Sequence, residues 1–322
     1  MALEKIITHQ IDIFRLASSE QDAAVKLLRA MRRDLAATLE THNLTAFSKS
    51  RVKALLKQVN EIIANYYSLI HEHADETLAG LVYHVGERTS VILSLPLLSE
   101  TVLKSIINDS TVMGAPSVDW WMAQAASTAF NYAAQVRQGI AQAETTSQIL
   151  SRVRPILDVS ERNARSLVHT SIQSVMNQTR LAVFDNNTDV LQSVRQLSTL
   201  DGHTSDICIA YSNAKWTLPD HKPINGAPAF NGGPPRHFNC RSVLVPVSNQ
   251  IDIPGQRVSE LGLVDRNITF DEFLSKKTTE QQNEMLGVGR AQLWRDGKIT
   301  LRDLLDQKGR PLTLEQLIKK YA

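Results

Sequence analysis

Through the first half of the chain, apolar residues recur at three- and four-residue steps, the spacing that lines one face of an α-helix. Leu3, Ile6, Ile7, Ile11 and Phe14 form one such stripe, and Val25, Leu28, Met31, Leu35 and Leu39 form a second. A third, longer one runs through Val52, Leu55, Leu56, Val59, Ile62, Ile63, Tyr66, Tyr67 and Ile70 toward Leu81. Pro96 is the first proline of the chain, so no proline breaks a helix before it. "GAPSVDWW" then ends one element at Gly114 and Pro116. Ser117 is the expected cap of a helix through Trp120, Trp121, Ala125, Phe130 and Ala133. Another helix is expected from about Ser160, carrying Leu167, Ile172, Val175, Met176 and Leu181.

The pattern changes near Asp185. "DNNTD" is rich in turn formers, and "VLQSVRQLSTLDG" mixes β-branched and polar residues as a strand ending at Asp201-Gly202 would. From Gly202 to Pro235 the chain reads as loop, with "LPDHKPINGAPAFNGGPP" concentrating glycine and proline. "SVLVPV" from Ser242 is a short buried strand, and helical spacing returns in "TFDEFLSKKTTEQQNEML" and "TLEQLIKKYA". The expected fold is mainly α, with long N-terminal helices and a smaller α+β C-terminal domain whose short strands surround two cysteine loops. The expected division is near residue 155, into a helical region over 1–155 and a mixed domain with a helical tail over 156–322. Tyr66-Tyr67 and Trp120-Trp121 are read as core or interface aromatics, not as a cofactor box.

Composition narrows the function classes. The 322 residues are 43% apolar and 21% charged, a globular balance. Lys and Arg number 35 against 33 Asp and Glu, too even to point to a polyanionic partner by charge alone. "MALEKIITHQIDIFRL" lacks the continuous apolar segment of a signal peptide. The most apolar run, "VILSLPLLSETVL", falls short of the ~20 residues that cross a bilayer. A soluble protein assembled in the cytosol is expected, with both cysteines as thiols or metal ligands.

Those two cysteines lie in two loops that carry the other candidate chemistry. His203, Asp206 and Cys208 fall within six residues, and His237 and Cys240 are spaced H-x-x-C. Thiolate and imidazole are the ligands zinc prefers, so Cys208, His237 and Cys240 are the expected metal ligands if the loops meet. Two other arrangements suit the same residues: loops clipped by hydrogen bonds, with His237 on a backbone carbonyl and both thiols buried, or a Cys208–Cys240 disulfide. Pro234, Pro235, Gly232 and Gly233 would fix the approach to His237. Arg241 is expected to pair with Asp201 or Asp206. No G-x-S-x-G elbow, phosphate-cradling glycine loop or H-E-x-x-H is present, so no catalytic residue is assigned. The competing reading is a metal-dependent enzyme or toxin-like effector built on the His/Cys loops.

The ordered motifs "ARSLVHTSIQSVMNQTR", "LSTLDGHTSDICIAY" and "GPPRHFNCRSVLVPV" resemble the phage Mu F-like family of minor head proteins, also called head morphogenesis proteins. The matching positions are Leu200, Asp201, Thr204, Cys208, Pro234, Pro235, His237, Cys240 and Arg241, with Gly287, Arg290, Leu293, Trp294 and Gly297 on a downstream tail pattern. Two positions depart from the family pattern. Tyr211 stands where many members have a second cysteine, and Val168-His169-Thr170 replaces an "A-R-T"-like element. The resemblance implies a structural virion protein of a tailed bacteriophage without turnover. It would be present in host cytoplasm during assembly and at the portal vertex inside the capsid afterwards. The implied partners are portal protein and major capsid or scaffolding protein, with phage DNA a further partner during packaging or ejection, and no membrane.

Overall fold

The computed structural model describes residues 2–42, 48–249, 256–260, 262–265, 267–306 and 308–321. Among them, long helices come first: α1 (Ala2–Glu40), α2 (Lys49–Leu93), α3 (Glu100–Asp109), α4 (Ser117–Ala141) and α5 (Thr146–Asp185). There follow β1 (Ser193–Leu197), α6 (Asp206–Tyr211), β2 (Lys215–Thr217), β3 (Pro223–Ile224) and β4 (Val243–Val247). A hairpin of β5 (Gln256–Ser259) and β6 (Gly262–Asp265) precedes α7 (Phe270–Leu274), α8 (Thr279–Leu286), α9 (Val288–Arg295) and α10 (Leu314–Tyr321). The mainly helical fold with a small C-terminal sheet is thus as the periodicity predicts.

The boundaries correct several expectations. The first two apolar stripes lie on one helix, α1, and the third continues to Leu93. Ile11 is 39% exposed and so lies outside the buried stripe, while the side chains of Leu3 and Ile7 fall outside the described set. Ser117 does not cap α4: Pro116 holds the cap position, and the Ser117 hydroxyl is buried without a partner. Helix α5 begins at Thr146, not near Ser160, and runs through Pro155. Ile149, Val153 and Leu157 are all buried, so apolar packing on both sides of the proline outweighs its lost hydrogen bond. The strand after Asp185 stops at Leu197, and the expected loop from Gly202 to Pro235 contains α6, β2 and β3.

Two compact units form. The helical unit comprises Ile13–Gly80 and Gly114–Ile172. Its core is the apolar stripes themselves, with Leu28, Met31, Leu35, Leu55, Val59, Ile63, Trp121, Val136 and Leu167 each at most 2% exposed. Within it the Tyr67 hydroxyl lies 3.1 Å from Thr128 Oγ1, which lies 2.9 Å from Ser160 Oγ, so these three buried hydroxyls satisfy one another. Arg32 pairs with Asp158 at 2.5 Å and Glu161 at 3.3 Å, and Arg165 with Asp22 at 2.9 Å.

The mixed unit comprises Met1–Asp12, Leu81–Met113 and Gln173–Ala322. The expected division near residue 155 falls inside α5, whereas the units part at Ile172/Gln173. The mixed unit also takes two earlier pieces of chain, because α1 and α2, like α5, are long enough to contribute to both units. Its sheet has the order β3-β2-β1-β4, antiparallel throughout. Strand β1 is buried along its whole length, which is why polar Ser193, Arg195 and Gln196 must find partners inside. Strand β4 is an edge, and Asn177 of α5 covers it: Asn177 Oδ1 accepts the Leu244 N–H at 3.0 Å.

Candidate metal centre

Helix α6 carries Cys208, and the Ser205 hydroxyl at its cap accepts the Cys208 N–H. The second loop closes by a short turn in which the Cys240 N–H donates to the His237 carbonyl at 3.2 Å. Asn239, between them, takes φ 62°, a left-handed conformation that asparagine tolerates. Gly233 approaches β4 so closely that a Cβ there would sit 3.0 Å from Leu244 Cδ1. The glycine- and proline-rich entry to the H-x-x-C segment is thereby packed against β4.

These constraints bring three of the expected residues together. Cys208 Sγ lies 3.2 Å from His237 Nε2 and 3.5 Å from Cys240 Sγ, and the three donor atoms lie within 4.8 Å of one another. Both cysteines are buried and are not joined as a disulfide. His237 Nδ1 lies 2.7 Å from the Phe238 carbonyl. A carbonyl can only accept, so Nδ1 carries the proton and Nε2 is turned to the sulfurs. This is the tautomer that a backbone carbonyl imposes on metal-binding histidines.

The other expected members do not join them. His203 is exposed. Asp206 turns away to an ion pair with Arg290, whose other nitrogen donates to the Leu312 carbonyl at 2.9 Å. Asp201 pairs with Arg241 through two bonds of 2.5 and 2.8 Å. It also accepts the His203 N–H at 3.0 Å and lies 3.1 Å from the Thr204 hydroxyl. Burial alone would raise the Asp201 carboxyl, but the Arg241 guanidinium and these donors hold it below the ordinary carboxylate value. The pair therefore ties the loop before Cys208 to the residue after Cys240. Pro234 and Pro235, joined by a cis bond, precede the histidine turn.

The electrostatics favour a charged sulfur. The hydrogen bond from Cys208 depresses the Cys240 thiol well below its usual value, against the effect of burial, and His237 adds to the depression. Cys208 moves the other way, because the Cys240 thiolate and burial both hold its proton in place. The same thiolate raises His237. In a tetrahedral zinc site, Zn–S of about 2.3 Å and Zn–N of about 2.0–2.1 Å set S···S near 3.8 Å and S···N near 3.5 Å. The observed separations fall within a few tenths of an ångström of these, so the donor set fits a thiophilic cation. Such an ion would tie the two loops together; Cys208, His237 and Cys240 would hold it.

Sequence reasoning missed Arg236. Its guanidinium lies 4.0 Å from the centre of the Tyr211 ring, and its Nε donates to Gln196 Oε1 at 3.0 Å. Burial lowers its pKa, while the nearby thiols favour its charge. The cue was its place between the paired prolines and His237. Tyr211, at the position where the family's second cysteine would stand, is committed to this stack and to the Ala229 carbonyl at 3.3 Å. It does not serve as a fourth ligand. Ser198 and Ser242 were also missed: Ser198 Oγ donates to the Cys208 carbonyl at 2.7 Å, and the two hydroxyls lie 3.0 Å apart.

Residues 131–245 match the family model for Phage Mu protein F like proteins. The match takes in all nine motif positions from Leu200 to Arg241 and about a third of the chain. The resemblance to that family therefore holds on the residues that build the sheet and the cysteine loops. Comparisons with curated proteins and with solved structures give no match. No described helix is long and apolar enough to cross a membrane.

Proposed function

We propose that this chain is a structural minor head protein of a tailed bacteriophage. In this reading it associates with the portal vertex during procapsid assembly and remains inside the capsid. The observation that carries the reading is the family match over residues 131–245, which covers the fold around the cysteine loops. The helical unit serves as the docking part toward portal, capsid or scaffolding protein, while the family match runs from its residue 131 through the sheet and cysteine loops of the mixed unit to residue 245. Zinc held by Cys208, His237 and Cys240 staples the two loops, a role that suits donors with both sulfurs buried.

Quantitative mass spectrometry of gradient-purified particles tests the reading, with the chain counted relative to portal. A few copies per particle are expected. Absence from both procapsids and mature particles would sink it. Elemental analysis of the purified protein tests the staple, with about one zinc per chain expected.

A second reading rests on one observation. A thiolate beside an imidazole is also the pair of a cysteine nucleophile. Burial of both sulfurs argues against it, because a substrate carbonyl needs access. Rapid labelling of Cys240 by iodoacetamide in the folded protein would favour that reading, and protection until unfolding would favour the staple.

A further inference from the structure

The helical unit presents a surface whose chemistry selects a partner. Lys49, Lys53 and Lys57 stand four residues apart along the first turns of α2, so they form a row with a rise of about 6 Å per step. They line a groove of about 840 Å³ with Arg137 of α4, over a floor that includes Val52 and Leu56. Among the described residues the groove has one carboxylate in its lining, Glu61, and Lys57 takes it at 3.6 Å. The first turn of α2 has no acidic residue. Lys49 and Lys53 thus stand near the positive end of a helix dipole, a placement that favours an anionic group facing it.

Arg137 connects this groove to a second feature. At 100° per residue, Met122, Ala126, Phe130 and Arg137 fall within about 80° of one another on α4. Met122 is 64% exposed and Phe130 72% exposed, and no charged residue lies between Asp119 and Arg137. The face extends about 22 Å from Met122 to Arg137. Its exposed side chains are apolar or uncharged along the helix and cationic at one end.

We infer that this surface seats an amphipathic helix of about four turns from another virion protein, with its apolar stripe on Phe130 and Met122. Its carboxylates gather where Lys53, Lys57 and Arg137 await them. The inference rests on the docking role proposed for the helical unit and specifies the chemistry of the partner. Charge confined to one end of an apolar face suits such a helix better than a nucleic-acid backbone, which asks for cations along its whole track.

The test uses the full-length chain in a phage lacking its own copy. The variants K53E/K57E and F130S alter exposed side chains, so circular dichroism and the thermal midpoint should stay as in the wild type. Each variant should lower the copies per particle by about tenfold or more. Zero-length carbodiimide crosslinking of wild-type particles should join Lys53 or Lys57 to an Asp or Glu in a helical segment of another head protein. Wild-type copy number in both variants overturns the inference. Crosslinks confined to other parts of the helical unit overturn this surface while leaving the docking role intact. Crosslinks made only by the mixed unit remove that role as well. Salt-dependent binding of a 30-base-pair DNA duplex, lost in K53E/K57E while incorporation is unchanged, overturns the inference in favour of nucleic acid.

Discussion

The helical unit and the mixed unit are held together by different means. In the helical unit, buried leucine, isoleucine and valine stripes form the core, with the Tyr67–Thr128–Ser160 chain inside it and ion pairs at the rim. Dispersion and apolar burial are non-directional, so such a core tolerates substitution as long as volume is kept. The mixed unit has an apolar core as well, including Phe184, Leu191, Val194, Trp216 and Leu244, but it also buries guanidinium groups on neutral acceptors. Arg257 donates to the carbonyls of Ser198 and Ile268 and to the side chains of Ser212 and Asn213, and burial pulls it down to about 10. Arg180 is 1% exposed and donates to Gln10 Oε1 at 2.8 Å, and burial likewise pulls it down to about 10. Hydrogen bonds in a low dielectric are directional and costly to leave unmade. One unit is thus specified by a pattern and the other by individual residues.

This contrast predicts that polar substitutions should cost far more in the mixed unit than in the helical one. The largest effect is expected from Cys240→Ala, which removes the thiolate on which Cys208 and His237 converge. Bound zinc should be lost and the mixed unit should no longer unfold cooperatively, as followed by elemental analysis and calorimetry. A Cys240→Ala protein with unchanged midpoint and metal content would end the staple proposal.

Next in size, Arg241→Ala leaves Asp201 buried without its cation. It should destabilise by about 2–3 kcal/mol in urea, less than a fully buried pair because Arg241 is about a third exposed. The double variant with Asp201→Asn should recover part of this loss, and strict additivity would show that the two loops are not coupled through the pair.

An acid transition should follow from His9. Burial comes first, then Arg180, His84 and Arg88, in holding it down to about 3 from the ordinary histidine value of 6.5. A histidine lowered in the folded state contributes stability in full above about pH 6.5, and that contribution declines as pH falls toward 3. Stability measured from pH 7 to pH 4 should therefore drop, and His9→Gln should flatten that slope. An identical slope in the variant would mean that other groups govern acid unfolding.

The smallest effect belongs to the helical unit. Tyr67→Phe removes one hydroxyl from the Thr128–Ser160 chain and should cost about 1 kcal/mol. A loss as large as that of Arg241→Ala would erase the distinction between the units.

Local pattern carried most of the fold. Helices are encoded by residues three and four apart, so the stripes of α1, α2 and α5 were legible, and errors clustered at their ends. The expected helix starts at Ser160 and Ser117 failed for one reason: a serine is a local signal, and packing of Ile149, Val153 and Leu157 or burial of Ser117 overrode it. The cysteine motifs were equally legible as residue types. Their ordering matched a family pattern, and Asp201 with Arg241 was named as one of two pairings.

What the sequence by itself determined is the set of amphipathic helices, the two glycine- and proline-shaped loops and the residue types able to bind a soft metal. Only the tertiary structure decided which of them meet. Cys208 and Cys240 are 32 residues apart, Asp206 is drawn off by Arg290 across 84 residues, and Arg236 is seated on Tyr211 beside the thiols. Periodicity is a property of neighbours in the chain and can be read there. Convergence depends on how α5, the sheet and the tail pack around β1, and no short window of sequence contains that information.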